Sequence, residues 1–214
     1  MIFLSLKECN LKKILLILSL SLLSSCGTKD LSSDQLVVRQ TIHYEINSEV
    51  PYTGRVTDTH QNGQISSTRS YKDGQEDGLY EDYFENGQLK YKGSYKDGIP
   101  DGSHETYHEN GQLKSKTSYK DGIPDGPHES YYENGQLERK GSNKDCQQDG
   151  PLENYYENGQ LKYKGSYKDG KRYGPYEDYH ENGQLRFKSS FKDGERQEGT
   201  RESYDENGRQ TYPW

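Results

Sequence analysis

From residue 59 to residue 199, apolar and aromatic positions alternate with polar ones, and the pattern recurs every 24 residues. Alternation at a period of two predicts half-buried β-strands, because successive side chains on a strand point to opposite faces. Asn-Gly punctuates the pattern at Asn62, Asn86, Asn110, Asn134, Asn158 and Asn182, and again at Asn207 after a step of 25. Lys-Asp-Gly recurs at Lys72, Lys96, Lys120, Lys168 and Lys192, and is broken at Lys144-Asp145-Cys146. A third glycine falls at Gly54, Gly78, Gly102, Gly126, Gly150, Gly174 and Gly199. Self-similarity at a fixed short period marks a repeat architecture.

Asn-Gly between alternating segments predicts a hairpin closed by a type I′ turn, which needs φ > 0 at both central residues. With Asn86 and Gly87 in those places, counting outward sets Phe84 opposite Leu89, Tyr83 opposite Lys90 and Asp82 opposite Tyr91. Glu81 then faces Lys92, and Tyr80 faces Gly93. One face carries Tyr80, Phe84, Leu89 and Tyr91; the other carries Glu81, Tyr83, Lys90 and Lys92. The same count sets Glu105 against Lys116, Glu129 against Lys140, Glu153 against Lys164 and Glu177 against Lys188. Each such pair contributes a few tenths of a kcal/mol. Leu89, Leu113, Leu137, Leu161 and Leu185 are expected as an apolar ladder. Beside it run Tyr95, Tyr119, Tyr167 and Phe191, interrupted by Asn143.

The expected fold is all-β: an elongated single sheet of antiparallel β-hairpin repeats, about 24 residues each. It comprises roughly 12 to 14 strands and is on the order of 60 Å long. Hairpin repeats occupy residues 59–199, after N-terminal lead-in strands in 34–58 (Val37-Val38 and residues 42–46). A closing hairpin occupies 200–214. Such a sheet has little conventional core, so neighbouring repeats must bury each other's aromatics.

Residues 91–98, Tyr-Lys-Gly-Ser-Tyr-Lys-Asp-Gly, with Asp101-Gly102 after them, resemble the MORN repeat. The Tyr-x-Glu-Asn-Gly-Gln-Leu segments resemble the bacterial variant of that repeat. The resemblance covers about residues 51–210 and departs from the familiar repeat by one extra residue per unit. Bacterial members are grouped with antitoxin-like proteins and eukaryotic ones with membrane-associated scaffolds, so the resemblance implies a fold more than a ligand.

The amino end carries a targeting signal. Lys12-Lys13 precede Ile14–Leu23, an apolar run of ten residues, too short for a membrane-spanning helix of about 20. Leu23-Ser24-Ser25-Cys26-Gly27 resembles the lipobox of bacterial lipoproteins. It implies a signal peptide over 1–25, acylation (thioether diacylglycerol, with palmitate-like chains) of Cys26, and a tether over 26–33. The expected location is the cell envelope, on the outer membrane in a two-membrane organism. Cys9 would leave with the signal, Cys26 would carry lipid, and Cys146 alone would remain, giving no disulfide framework.

The whole chain has a formal charge of −7, and removal of residues 1–25 makes it about −9. That balance argues against nucleic acid as a partner and against attraction to anionic lipid. His104-Glu105-Thr106-Tyr107-His108 matches the zinc-protease motif, but that motif needs a helix to bring both histidines to one metal. Here the segment is predicted as a strand, with Glu105 on the face opposite His104 and His108; a zinc cluster including His128 is a minor alternative. Asp73/Asp77, Asp97/Asp101, Asp121/Asp125 and Asp145/Asp149 could bind calcium, although Asp beside Gly is more often turn chemistry.

No nucleophile with its base, phosphate loop or cofactor fingerprint is present, so no enzyme activity and no cofactor are expected. The candidate binding face comprises Tyr80, Phe84, Tyr91, Tyr95, Tyr119, Tyr132, Tyr156, Tyr163, Tyr167 and Phe187. The expected function is a lipid-anchored interaction or scaffold module with a protein partner. Immunity against a cognate toxin and cell-wall glycan binding are the alternatives.

Overall fold

The computed structural model describes residues 29–211. The expected signal peptide, Cys26 and Trp214 lie outside the described residues.

A lead-in precedes the repeats. It consists of β1 (Lys29–Leu31), a 3-10 turn (Ser33–Gln35), β2 (Leu36–Arg39) and β3 (Ile42–Glu45). The first hairpins follow as β4 (Gly54–Thr59), β5 (Ile65–Lys72), β6 (Gln75–Tyr83) and β7 (Leu89–Lys96). Next come β8 (Ile99–Pro100), β9 (Gly102–Tyr107), β10 (Leu113–Lys120), β11 (Ile123–Tyr131) and β12 (Leu137–Lys144). Then follow β13 (Gln147–Gln148), β14 (Gly150–Tyr155), β15 (Leu161–Lys168), β16 (Lys171–Arg172), β17 (Gly174–Tyr179) and β18 (Leu185–Lys192). The sheet ends with β19 (Glu195–Arg196), β20 (Glu202–Tyr204) and β21 (Gln210–Thr211).

From β4 to β21 each strand pairs antiparallel with its neighbour in sequence, so the array is one meander. The short segments β8, β13, β16 and β19 extend β9, β14, β17 and β20 along the same partner strands. The all-β hairpin array expected from the 24-residue period is therefore the fold.

Two readings need correction. First, the expected tether over 26–33 contains β1, which pairs in parallel with β4 through Lys29↔Gly54 and Leu31↔Val56. Pairing satisfies its backbone, and Leu31 is buried with Tyr52, Val56 and Tyr71, the compact core of the described residues. The Tyr52 hydroxyl donates to the carbonyls of Lys29 and Arg55, and burial, followed by the charge of Asp30, pushes its pKa up to about 12. The β2–β3 hairpin covers the first repeat, with the His43 ring 4.8 Å from Tyr71. It acts as the cap that repeat arrays require.

Second, the type I′ turn expected at Asn-Gly lies elsewhere. At Asn86-Gly87 only Gly87 has positive φ (81°); its N–H donates to Phe84 O, and Phe84 N–H donates to Gln88 O. This is a three-residue loop, and a bulge at Lys90 restores the register. The type I′ turn belongs to Lys-Asp-Gly: Asp97 (φ 50°) and Gly98 (φ 76°) connect the paired residues Lys96 and Ile99. The bulge also exchanges Leu89 and Lys90. Leu89 now partners Tyr83, while the Lys90 ammonium lies 5.9 Å from the Phe84 ring centre. The leucine ladder accordingly shares the tyrosine–glutamate face.

Cys146 occupies a turn position normally held by glycine, at φ 67°, and its N–H still donates to Pro124 O.

Both edges of the sheet are stitched from repeat to repeat. On one edge each turn asparagine accepts from the N–H two residues on and donates to a glutamate carbonyl in the next repeat, as Asn110 does to Glu133 at 2.8 Å. Asn62, Asn86, Asn134, Asn158 and Asn182 do the same. On the other edge the turn glycine N–H donates back to the preceding repeat, as Gly122 does to Pro100 O and Gly194 to Arg172 O.

Candidate functional site: two periodic faces

The first face is a ladder of charge. Glu81, Lys92, Glu105, Lys116, Glu129, Lys140, Glu153, Lys164, Glu177, Lys188 and Glu202 are direct partners across consecutive strands. The five pairs within hairpins follow from the sequence count; the pairs between hairpins complete the column. Lys140 reaches Glu153 in the next hairpin at 2.8 Å rather than Glu129 in its own, and Lys164 likewise reaches Glu177. Each glutamate also accepts from the tyrosine two residues on, as in Tyr107 to Glu105 and Tyr131 to Glu129, both at 2.6 Å.

Those bonds set the protonation states. The Tyr107 hydroxyl, then Lys116, holds the Glu105 carboxyl below its usual range. Lys140, then Tyr155, does so for Glu153. The same glutamates raise the lysines Lys116 and Lys140. Tyr107 and Tyr131 are pushed up to about 12, Tyr107 mainly by burial and Tyr131 mainly by its bond to Glu129.

The second face is aromatic, and it is not uniform. Tyr80, Tyr91, Tyr95, His104 and Tyr119 form one cluster; His104 lies 4.6 Å from Tyr119 and 5.3 Å from Tyr95. Gly93 makes room for it: a Cβ there would sit 2.3 Å from the Tyr91 hydroxyl and 2.9 Å from His104 Nδ1. Tyr163, Tyr176, Phe187 and Phe191 form a second cluster with ring separations of about 6 Å, and Tyr167 shares its face. Between the clusters, Ser115 and Arg139 stand in the column of Tyr91 and Tyr163, and Asn143 in that of Tyr119 and Tyr167. His128 Nδ1 and Asn154 Oδ1 lie in this break, buried and without a hydrogen-bond partner. Burial, then Arg139, lowers the His128 pKa, so its ring is neutral at pH 7.

Of the ten expected binding residues, Tyr80, Tyr91, Tyr95 and Tyr119 fall in the first cluster and Tyr163, Tyr167 and Phe187 around the second. Phe84, Tyr132 and Tyr156 stand apart, at the start of the Asn-Gly turns. There Tyr132 donates to Tyr155 O and Tyr156 to Tyr179 O, each at 2.8 Å. His60, His108 and His180 hold the same place with Nε2 at 3.0 Å from the equivalent carbonyl. Tyr176 and Phe191 were not among the ten; their place in the two-residue alternation beside Phe187 was the available signal.

The zinc-protease motif dissolves into these columns. His104 has Nδ1 2.7 Å from the Tyr91 hydroxyl and Nε2 2.9 Å from Ser94 O, while His108 serves its turn. Glu105 is held on the other face by Lys116 at 2.9 Å. Among the described residues, no group of three or more His, Cys, Asp or Glu is arranged to hold a metal ion. Asp149, one of the calcium candidates, accepts from the N–H of Asp169 at 3.1 Å, which is turn support. Burial pushes Tyr91 far above its ordinary range and Tyr80 to about 12, so these phenols are neutral donors at physiological pH.

A sheet that repeats the same side chains at each step, with neighbouring units burying one another's rings, defines a β-hairpin repeat protein. The chain belongs to the MORN repeat variant family, whose pattern matches residues 76–97, 100–121, 124–144, 148–169 and 172–193. Those matches cover just over half of the chain, and each spans one hairpin, beginning with β6–β7 and ending with β17–β18. The family is a non-catalytic repeat module. No curated protein matches the chain.

Proposed function

We propose that this protein is a protein-interaction module held at the cell envelope by lipid on Cys26. The observation that carries the interaction reading is the aromatic face: a sheet surface on which half-buried tyrosines recur without a second layer of the described chain over the repeats. Aromatic side chains supply large contact area at low entropic cost, which is why they are enriched at interfaces. The lipobox-like sequence before Cys26 supports the anchor. Two or three acyl chains hold a protein on a membrane stably, whereas one does not.

The test is capture from native envelope extract on immobilised residues 27–214, read by mass spectrometry. One reproducible protein, lost when Tyr163, Tyr176 and Phe187 are changed to serine, supports the module. No specific protein overturns it, and purified cell wall becomes the next ligand to try. The anchor is tested separately: Cys26→Ala should move the protein from the membrane to the soluble fraction. The intact mass of the membrane form gives a second readout of acylation.

A further inference from the structure

Lysine and arginine are used differently along the sheet. The ladder uses lysine throughout: Lys92, Lys116, Lys140, Lys164 and Lys188 are each ion-paired with a glutamate. The aromatic face takes Arg69, Arg139, Arg172, Arg186, Arg196 and Arg201 of the nine arginines in the chain, beside lysines such as Lys90 and Lys162 over Phe84 and Tyr156 at the turns. Five of these six lie between β12 and β20, around the second aromatic cluster. Arg172 lies 4.8 Å from the Tyr176 ring centre and 5.3 Å from that of Phe191, and Arg201 lies 5.9 Å from Phe187. Arg186 is already used, as a two-point pair with Asp178 at 2.8 Å on both bonds. Arg139, Arg172, Arg196 and Arg201 are exposed and make no ion pair among the described residues.

We infer that the second aromatic cluster, with these four arginines, is the docking surface for a short acidic segment of a partner protein. This rests on the interaction reading above and adds the partner's chemistry to it. Guanidinium groups laid on rings are pre-organised, weakly hydrated and shaped for two-point bonding to carboxylates. The Arg186–Asp178 pair shows the bond that the other four can offer. Net charge decides between anionic partners. A long nucleic acid or an anionic membrane extends beyond the Debye length of about 8 Å and meets the chain's overall negative charge. A short acidic segment lies within that distance of the arginines and meets mainly them.

The experiment titrates the full chain against a labelled octapeptide of alternating glutamate and tyrosine, and against its lysine–tyrosine counterpart. The acidic peptide should bind and the basic one should not, with affinity falling several-fold on raising salt from 50 to 300 mM. Arg172→Gln with Arg201→Gln should weaken binding about tenfold or more, and Lys140→Gln with Lys164→Gln less than twofold. Arg139→Gln, which lies over no ring, should weaken it several-fold and guards against misfolding of the double variant. Equal binding of both peptides, or arginine variants that bind like the parent, would overturn the assignment. So would tighter, arginine-dependent binding to anionic phospholipid vesicles or single-stranded DNA than to the acidic peptide.

Repeating the envelope capture with the arginine variants separates the two proposals. A partner retained by those variants preserves the interaction module and removes this surface. Peptide binding without an envelope partner preserves the surface and removes the envelope role.

Discussion

The side-chain amide of Asn110 donates to the carbonyl oxygen of Glu133, one repeat further along the chain, at 2.8 Å. Its own carbonyl accepts from Gln112 N–H at 3.0 Å, so one side chain both shapes its turn and fastens it to the next.

That double role makes Asn110 more than a turn former. Asn110→Ala removes both bonds and should cost about 1–3 kcal/mol in urea denaturation, at the net value of a typical hydrogen bond for each. Asn110→Asp keeps the acceptor but sets a carboxylate against the Glu133 carbonyl, and should cost at least as much. An aspartate variant as stable as the parent would show that the bond to the next repeat contributes nothing.

The ladder fixes how stability responds to pH. Its glutamates Glu105, Glu153, Glu177 and Glu202 titrate below their ordinary value of 4.5, through hydrogen bonds from tyrosine and lysine. Their contribution is therefore present above that value and is lost as pH falls through the lowered one. Lys116, Lys140 and Lys164 titrate above 10.5 because of the same carboxylates, so their contribution is complete below that value and lost as pH rises through the raised one. Melting temperature should be flat between about pH 6 and 9, then fall below about pH 4 and above about pH 10.5. A melting temperature that rises on acidification from pH 5 to 3 would exclude the ladder as a stabilising element.

Two glycines separate strain from clash. At Gly170 (φ 76°) an added Cβ meets nothing nearer than 3.6 Å, so Gly170→Ala should cost only the left-handed backbone penalty, about 1–2 kcal/mol. At Gly74 (φ 78°) the same Cβ would lie 2.3 Å from Ile42 Cγ2 and 2.7 Å from His43 O. Gly74→Ala should cost about 1–3 kcal/mol more, by prising the β2–β3 cap from the first repeat. Equal losses in parallel urea titrations would mean that the cap is not seated there.

Zinc should have no part in folding. Both ring nitrogens of His104 are engaged with Tyr91 and Ser94, and His108 holds the Tyr131 carbonyl. A chelator should leave the melting temperature unchanged, and metal analysis of purified protein should find no stoichiometric zinc. One zinc per chain would overturn the account of His104-Glu105-Thr106-Tyr107-His108 as two structural columns.

The strand register was legible in the sequence, partly through compensating errors. The expected two-residue loop at Asn86-Gly87 is a three-residue loop followed by a one-residue bulge, and the two differences cancel by Asp82↔Tyr91. Glu81 opposite Lys92 was therefore right for a turn that was wrong. The exchange of Leu89 and Lys90 was hidden because a bulge has no signature in an alternating pattern. The bonds between hairpins were hidden as well. Asn110 binds a main-chain carbonyl, which any residue provides, and Lys140 prefers Glu153 to the Glu129 of its own hairpin. Seven of the ten expected aromatics do lie around the two clusters, because alternation alone assigns them a face. The gathering of arginines around the second aromatic cluster needed the two faces to be known first.

The charge ladder has a consequence for how such a chain changes length. Every ladder lysine stands between two glutamates, one before and one after; each interior Asn-Gly turn fastens forward by its asparagine, and each interior turn on the other edge fastens backward by an N–H. Removing or duplicating one 24-residue unit would leave each surviving group with the same kind of partner on both sides. Its extent can then drift by whole units between generations without a compensating substitution, while an insertion inside a strand that is not a whole unit shifts three columns at once; the one extra residue of the last step is tolerated because it falls between β18 and β20.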